Sequence, residues 1–559
     1  MDNYVIADQL SLLAKLMDIH GENSFKAKSY SSAAFSIEKM ENPISELSPE
    51  KIFKIRGIGE SVGKKVIELL NDGEIEELKK YLSTTPSGIL EMLNIKGLGP
   101  KKINTLWKEL KIDTIEGLRI ACEENLVAEK KGFGEKTQQK ILDSIRFQQT
   151  NAGKYLYAQA EAFEQAFRTR LQNKFPKKKL EVTGTFRRQL EVIERLEYVT
   201  TIDKEELKKS IISEEIKMIA ETSEEISFNA ENTLLINFFV CKEDQFYAKL
   251  FETSCSPEFL EEWMLSTNIT EDSFKDEESI FKKAKLEYIP PFLREKKEII
   301  AQARKKDFSD ILQPGEVRGL IHSHSNWSDG AYTIEDMAKE LIKLGFEYLV
   351  ISDHSKAAYY AGGLTEEKIR EQHRYIDGLN EKFKPFRIFK SIECDILTDG
   401  SLDYDNKTLA TFDLVIVSIH SNLDMDESKA MKRLLGAISN PYTTILGHMT
   451  GRRLLRRKGY PVDHKAIIDA CAENNVVIEI NANPQRLDME WQWVDYALEK
   501  EVMLSVNPDA HSTDEFHNIK YGVFAGQKGG LTQKQNLSSF TLKEFERFLE
   551  KTRKKKGIS

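Results

Sequence analysis

Through the C-terminal half of the chain, short apolar and β-branched runs recur, and nearly every one stops at a side chain able to bind metal. Leu320 and Ile321 lead to His322 and His324, and residues 348–351 lead to Asp353 and His354. Residues 387–392 lead to Glu393, 414–419 to His420, and 443–446 to His448. Residues 476–480 lead to Asn481 and Asn483, and 503–506 to Asp509 and His511. Apolar runs of this length predict buried parallel strands. Stretches between them, such as 334–344 and 464–474, place apolar residues at helical spacing. Strand and helix alternate, and polar residues gather at strand C-termini. This pattern predicts a seven-stranded parallel β/α barrel with its site at those ends. The N-terminal half differs. Residues 1–150 predict helices broken by three turns of glycine, apolar residue, glycine, and residues 151–300 return to mixed strand and helix.

The run L-I-H-S-H-S-N-W-S-D-G (320–330) is the densest chemical signal. In a strand, residues i and i+2 face the same way, so His322 and His324 project together and Asp329 returns from the following loop. Two imidazoles and a carboxylate suit zinc, manganese or iron. Most of the chain's ten histidines lie at the strand ends named above, which scattered surface histidines would not do.

Composition narrows the class. A chain of 559 residues, 40% hydrophobic and 31% charged, implies several soluble globular domains. No apolar run approaches the length of a membrane span, and the N-terminus lacks the blocks of a signal peptide. Five cysteines without a C-x-x-C pair predict reduced thiols in cytoplasm. A net charge of −9 does not advertise nucleic-acid binding. Local patches decide phosphate contact, however, and the glycine turns supply them. Gly57-Ile58-Gly59 precedes Lys64 and Lys65; Gly97-Leu98-Gly99 precedes Lys101 and Lys102; Gly132-Phe133-Gly134 precedes Lys136 and Lys140. Each turn exposes backbone N–H groups at a helix start, with lysines behind, and predicts contact with the DNA backbone without reading of bases.

These residues carry a family resemblance. The C-terminal half resembles the PHP (polymerase and histidinol phosphatase) domain, a distorted seven-stranded β/α barrel holding up to three metal ions. The resemblance implies nine ligands and catalytic residues: His322, His324, Asp329, His354, Glu393, His420, His448, Asp509 and His511. The stretches G-H-M-T-G-R-R-L-L-R-R (447–457) and E-I-N-A-N-P-Q-R-L-D (479–488) resemble the subgroup fused to bacterial family X DNA polymerases. Arg452, Arg453 and Arg486 are expected to grip phosphate, Asn481 and Asn483 to line the substrate groove, and Asp353 to orient a ligand histidine. The glycine turns resemble helix-hairpin-helix motifs. The run G-E-N-S-F-K-A-K-S-Y-S-S-A-A (21–34) is similar to the opening of the family's small N-terminal domain. That likeness implies a 5′-phosphate pocket at Lys26 and Tyr30. Lys65 falls at the position of a lyase nucleophile and is read here as a phosphate contact.

The expected architecture follows. Residues 1–80 form a small lyase-like helix-hairpin-helix domain and 81–150 a fingers-like one. Residues 151–300 form a polymerase-beta-like nucleotidyltransferase palm and thumb, 301–315 a linker, and 316–559 the PHP phosphoesterase. In the palm, V-T-G-T-F-R-R (182–188) resembles the turn that holds nucleotide phosphates, with Gly184, Thr185 and Arg188 at its named positions. The paired carboxylates that should follow are Arg195 and Glu197, and the third is assigned to Ile236. Two cations need joint carboxylate charge, so the palm is expected to keep its fold and lose its chemistry, unless Glu191, Glu194 or Asp203 substitutes. The favoured function is a 3′–5′ exonuclease or 3′-end processor. It would use two or three manganese, zinc or iron ions on gapped or 3′-ended duplex DNA, as a monomer in the nucleoid-associated cytoplasm. A gap-filling DNA polymerase with an attached exonuclease is the alternative, and a histidinol-phosphatase-type enzyme the weaker one.

Overall fold

Three glycines at nearly the same left-handed backbone angle punctuate the helical N-terminal unit. Gly57, Gly97 and Gly132 have φ of +93°, +92° and +94°, a region where a side chain would be strained. The first turn joins helices Pro49–Ile52 and Glu60–Asp72, and the second joins Ser87–Met92 and Pro100–Lys108. The third opens helix Gly134–Asn151. The computed structural model describes all residues except 2, 39, 41–42, 56, 96, 215, 231–233, 268, 270–272 and 559. Arg56 and Lys96, inside the first two turns, therefore lie outside the described residues. Helices Asn3–His20 and Ser24–Glu38 bury Ile6, Leu10, Leu13 and Met17 against Ala27, Ala33 and Ile37. The residues of this unit, Met1–Ala152, form one compact body, and Gly153–Ser559 form another.

The second unit begins with a mixed sheet. Its strands are β1 (Leu180–Thr183), β2 (Arg195–Thr200), β3 (Ile216–Glu221), β4 (Glu225–Ala230) and β5 (Leu235–Val240). They lie in the order β1-β2-β5-β4-β3, and only β2 and β5 run parallel. Leu196, Tyr198, Ile236 and Phe238 share one sheet face and pack on Phe167 and Leu171 of helix Tyr157–Lys174, as the period of two requires.

The barrel strands are β6 (Gly319–Leu320), β7 (Tyr348–Ile351), β8 (Arg387–Lys390), β9 (Glu393–Asp395), β10 (Ile416–Ser418), β11 (Ile445–Leu446), β12 (Val477–Asn481) and β13 (Leu504–Asn507). All pair in parallel, in the orders β8-β7-β6 and β9-β10-β11-β12-β13. The run expected over 387–392 is thus a strand that ends at Lys390, and a further strand starts at Glu393 in the other sheet. The barrel strands fall into two sheets at this break. Isolated bridges join its sheets, His354 with Glu393 on one side and Ser323 with Ala510 on the other. Tyr348, Val350, Phe389, Ile416 and Val477 pack with Phe545 and Leu549 of helix Leu542–Lys555. Among the described residues no helix is long and apolar enough to cross a membrane.

Candidate metal centre

The strand ends bring all nine sequence-derived candidates together, and Glu393 is their hub. Its carboxylate oxygens lie 3.0 Å from His448 Nε2, 3.0 Å from His354 Nδ1, 3.1 Å from His420 Nε2, 3.3 Å from His322 Nε2 and 3.6 Å from His324 Nε2. Asp509 Oδ1 lies 3.2 Å from His324 Nε2 and 3.4 Å from His322 Nε2. Asp329 stands 3.6 Å from both His354 and His511 and 3.8 Å from His324. Among the described residues three groups have donor atoms close enough to hold one ion each. They are His324, Asp329, His354 and His511; His322, His324 and Asp509; and His354, Glu393 and His420. His322 and Asp509 take left-handed φ of +63° and +54°, strain of the kind that folds retain at functional sites.

These residues fit divalent cations for a reason internal to the fold. Both Glu393 oxygens, His322 Nε2, His324 Nδ1, His354 Nδ1 and both His448 ring nitrogens are buried without a hydrogen-bond partner. Leaving so many buried polar atoms unpaired costs stability unless something else satisfies them. Electrostatics agree. Burial opposes ionisation of Glu393, but the imidazoles of His420, His322 and His354 outweigh it and hold the carboxyl well below its usual range. Burial, reinforced by His511 and His354, pushes His324 down to about 3, so this ring is neutral and its nitrogen is available as a ligand.

A second layer orients the first, and here the structure corrects the sequence reading. Asp353 does not touch a ligand histidine. It accepts from Ser325 N at 2.8 Å, Ser325 Oγ at 2.6 Å, Ser328 Oγ at 2.5 Å and Gln372 Nε2 at 2.6 Å, so it pins the loop that delivers Asp329. The orienting carboxylates are Glu479, 2.6 Å from His322 Nδ1, and Asp395, 3.3 Å from His420 Nδ1. Both roles escaped the sequence reading. The available signals were a charge inside the apolar run 476–480 and the i, i+2 spacing of Glu393 and Asp395. Asn481 does not line a groove either. It is fully buried and donates to Glu479 Oε1 at 2.9 Å and Asp509 Oδ2 at 3.1 Å. The Asn483 side chain accepts from Gln485 N at 3.0 Å and closes the turn that carries Arg486.

The arginines divide. Arg486 Nε reaches Asp509 Oδ2 at 3.4 Å and borders the cluster. Arg453 is half-buried nearby and donates to Gln485 Oε1 at 2.6 Å. Arg452, expected to grip substrate, is instead buried at the junction of palm and barrel. It meets Glu191 at 2.6 Å and Glu490 at 3.1 Å, and it donates to the Arg486 carbonyl at 2.9 Å and to the Leu487 carbonyl. Arg452→Ala would leave Glu191 buried and uncompensated. We expect a loss of about 3 kcal/mol of stability, read as a lower melting temperature, with no change in salt dependence of DNA binding. An unchanged melting temperature would refute this role.

Among the described residues the central α/β region carries no cluster of three carboxylates close enough to hold an ion. Glu197 and Asn237 are register partners on one sheet face, beside Arg195 opposite Leu235. Ile236 points to the other face and is fully buried, so its assignment to the third position is corrected to Asn237 or Leu235. The Glu197 carboxylate accepts from Thr185 N and sits against Gly184, where a Cβ would come within 1.8 Å of it. Gly184 itself has φ of +65°. Arg188, expected at the nucleotide turn, pairs with Glu295 at 2.7 Å, and Arg187 pairs with Glu277. The possible substitutes are also engaged: Glu191 by Arg452, Glu194 by Lys154 at 2.6 Å, and Asp203 as the N-cap of helix Lys204–Ile211.

In the N-terminal unit, Lys26 and Lys65 converge on Glu77 at 2.7 and 3.8 Å, and Lys65 also meets Glu68 at 2.8 Å. Tyr30 is buried with its hydroxyl 3.0 Å from Ser61 Oγ. Gly59 and Gly99 precede helices at φ of −78° and −82°, which any residue adopts, and open space surrounds both. Their lack of a side chain is not required by the fold and leaves room for an approaching ligand. Open space also surrounds Gly97, Gly132 and Gly134, and Lys101 is exposed beside the second turn.

Comparison with known proteins agrees with this organisation. Residues 1–75 match the helix-hairpin-helix domain, 89–146 the SAM-like helix-hairpin-helix tandem, and 321–483 the PHP domain. A Thermoanaerobacter probable phosphatase is 28% identical over 250 residues, which span 42% of this chain and 95% of that protein. A probable phosphatase of Caldanaerobacter subterraneus is 30% identical over 171 residues, 29% of this chain and 60% of that protein. The DNA polymerase/3′-5′ exonuclease PolX of Bacillus subtilis is 32% identical over 571 aligned residues, covering 97% of this chain and 98% of its own length. With that relative matched over nearly the whole of both chains, and with the helix-hairpin-helix and PHP models matched at the two ends, the protein belongs to the bacterial family X DNA polymerases with a C-terminal PHP domain.

Proposed function

We propose that the protein is a metal-dependent phosphoesterase that removes nucleotides from DNA 3′ ends, with the barrel as its catalytic centre and the N-terminal unit as its grip on the DNA backbone. The observation that carries this reading is the hub at Glu393, whose unpaired oxygens face five imidazoles. Divalent ions held by the nine residues would supply Lewis acidity and an activated water to a phosphodiester. The chain's own part is to hold His322 through Glu479 and His420 through Asp395, and to present the Arg486 guanidinium to a phosphate oxygen beside Asp509. The glycine turns and their lysines favour DNA over a small phosphate ester as substrate. The finer division of the chain into lyase-like, fingers-like, palm and linker segments belongs to the same proposal.

A second reading is a gap-filling DNA polymerase with an exonuclease attached. The printed name of the Bacillus subtilis relative covers both activities, and the likeness runs through the palm. Against it stand Arg195 and, among the described residues, the lack of a carboxylate trio on the face shared by Glu197 and Asn237. A gel with 5′-labelled gapped DNA and manganese, with and without nucleotides, separates the two. Shortening of the primer that stops in chelator supports the exonuclease. Primer growth with nucleotides supports the polymerase, and shortening that continues in chelator refutes the metal-dependent reading.

A further inference from the structure

The loop that follows His354 exposes two adjacent aromatic rings at the mouth of the metal cluster. Tyr359 is 85% exposed and Tyr360 52%, with ring centroids 6.1 Å apart and planes at 79°. Single exposed apolar residues need no explanation, but paired rings beside a cluster of ligands do. The loop is not loose. Ser355 N donates to the Glu393 carbonyl at 3.0 Å and Leu364 N to the His354 carbonyl at 2.8 Å, closing its base. Lys356 N donates to the Tyr404 hydroxyl at 3.1 Å and Ala357 N to Asp403 Oδ2 at 2.7 Å. Ala358, Ala361 and Leu364 are buried.

Two glycines shape the tip. Gly362 has φ of +71°, and a Cβ there would lie 3.3 Å from the carbonyl of Ser328, the residue before Asp329. A Cβ on Gly363 would meet the Ser355 carbonyl at 1.9 Å. The tyrosine turn is therefore wedged between the segments that carry His354 and Asp329. Burial, with the carboxylates of Asp395, Glu393 and Asp329 adding to it, pushes the Tyr360 hydroxyl up to about 12. Tyr332, three residues beyond Asp329, adds a third exposed ring.

We propose that Tyr359 and Tyr360 form a nucleobase-stacking subsite for the unpaired bases of a DNA strand whose phosphodiester enters the metal cluster. Every base offers a π-face, so exposed rings bind unpaired bases without regard to sequence, and two rings set at 79° to each other take one base each. Bases inside a duplex are stacked on their neighbours and closed to such rings. The hydrogen-bonded base of the loop means that little backbone entropy is lost on binding. This assignment rests on the phosphoesterase reading above and names the form of DNA end that the site takes.

The test uses the full-length manganese-loaded protein and 5′-labelled duplexes with a short unpaired 3′ tail. In one set the tail carries bases, and in the other its sugars are abasic. We expect the wild type to prefer the base-bearing tail through a lower KM. In Tyr359→Ala and Tyr360→Ala that preference should shrink about tenfold for each ring removed. Tyr359→Phe and Tyr360→Phe should retain it, since the ring and not the hydroxyl stacks. Metal content by elemental analysis reports that the cluster is intact in each variant. An unchanged preference in both alanine variants overturns the subsite alone. Failure of the wild type to cut either tail overturns the phosphoesterase reading and the subsite with it.

Discussion

Glu393→Gln is expected to reduce both the metal content and the DNA hydrolysis of the protein, the latter by more than about a hundredfold. The carboxylate is fully buried and lies within 3.6 Å of five imidazole nitrogens. An amide keeps the shape and removes the charge, and its N–H group would point at groups that also need to accept a cation. Glu479→Gln provides the contrast. It touches His322 through the nitrogen facing away from Glu393, so it should weaken metal affinity about ten- to hundredfold while leaving hydrolysis recoverable in excess manganese. Elemental analysis of protein purified without chelator, with a primer-degradation gel, distinguishes the two. Full activity of Glu393→Gln at ordinary manganese would remove the cluster from the mechanism.

The second expectation concerns the palm. Asp509→Ala combined with His511→Ala is expected to silence degradation, and we expect this variant to show no templated, nucleotide-dependent primer extension. The register explains how the palm should be repaired, and why Ile236 is the wrong position. Glu197 faces the same side as Asn237, whereas Ile236 faces the core with Leu196, Tyr198 and Phe238. Ile236→Asp would bury an unpaired carboxylate among aromatic rings and cost several kcal/mol, on the order of the penalty for any unpartnered buried polar group. Its melting temperature should fall sharply. Arg195→Asp, Glu197→Asp and Asn237→Asp together place three acids on one face, away from the aromatic cluster around Ile236, although Asn237 is itself buried beside Ser227. Extension by this triple variant in the silenced background, and none by the silenced parent, is the expected result. Extension by the silenced parent would make the gap-filling polymerase the leading function.

The two results test different physics. Charge at Glu393 is organised by imidazoles that come from four strand ends. Charge in the palm is dispersed into ion pairs that hold the unit together, such as Arg188 with Glu295 and Arg187 with Glu277. An arginine held this way is not available to an incoming phosphate unless its partner is displaced.

Local order along the chain was enough for the strand ends. A run such as 348–351 forms a strand wherever it is buried, and the polar residue that ends it must lie at the mouth of a parallel barrel, because all strands point the same way. That rule brought nine candidates to one cavity edge. The glycine turns were legible for a similar reason, since φ near +90° admits few residues other than glycine. The same local reasoning failed where direction depended on a partner far along the chain. Asp353 adjoins His354, yet successive residues of an extended segment project to opposite sides, and the carboxylate met Ser325, Ser328 and Gln372 instead of an imidazole. Arg452 found Glu191 across 261 residues, a pairing that no spacing announces. Whether residue 236 or 237 shared a face with Glu197 depended on how β5 aligned with β2, and a shift of one residue would have exchanged the two faces of the sheet. Periodicity and composition thus determine which elements form and which chemical groups reach their ends. Pairing register and long-range packing decide where each side chain points and which partner neutralises it, because those choices minimise buried unpaired charge over the whole fold.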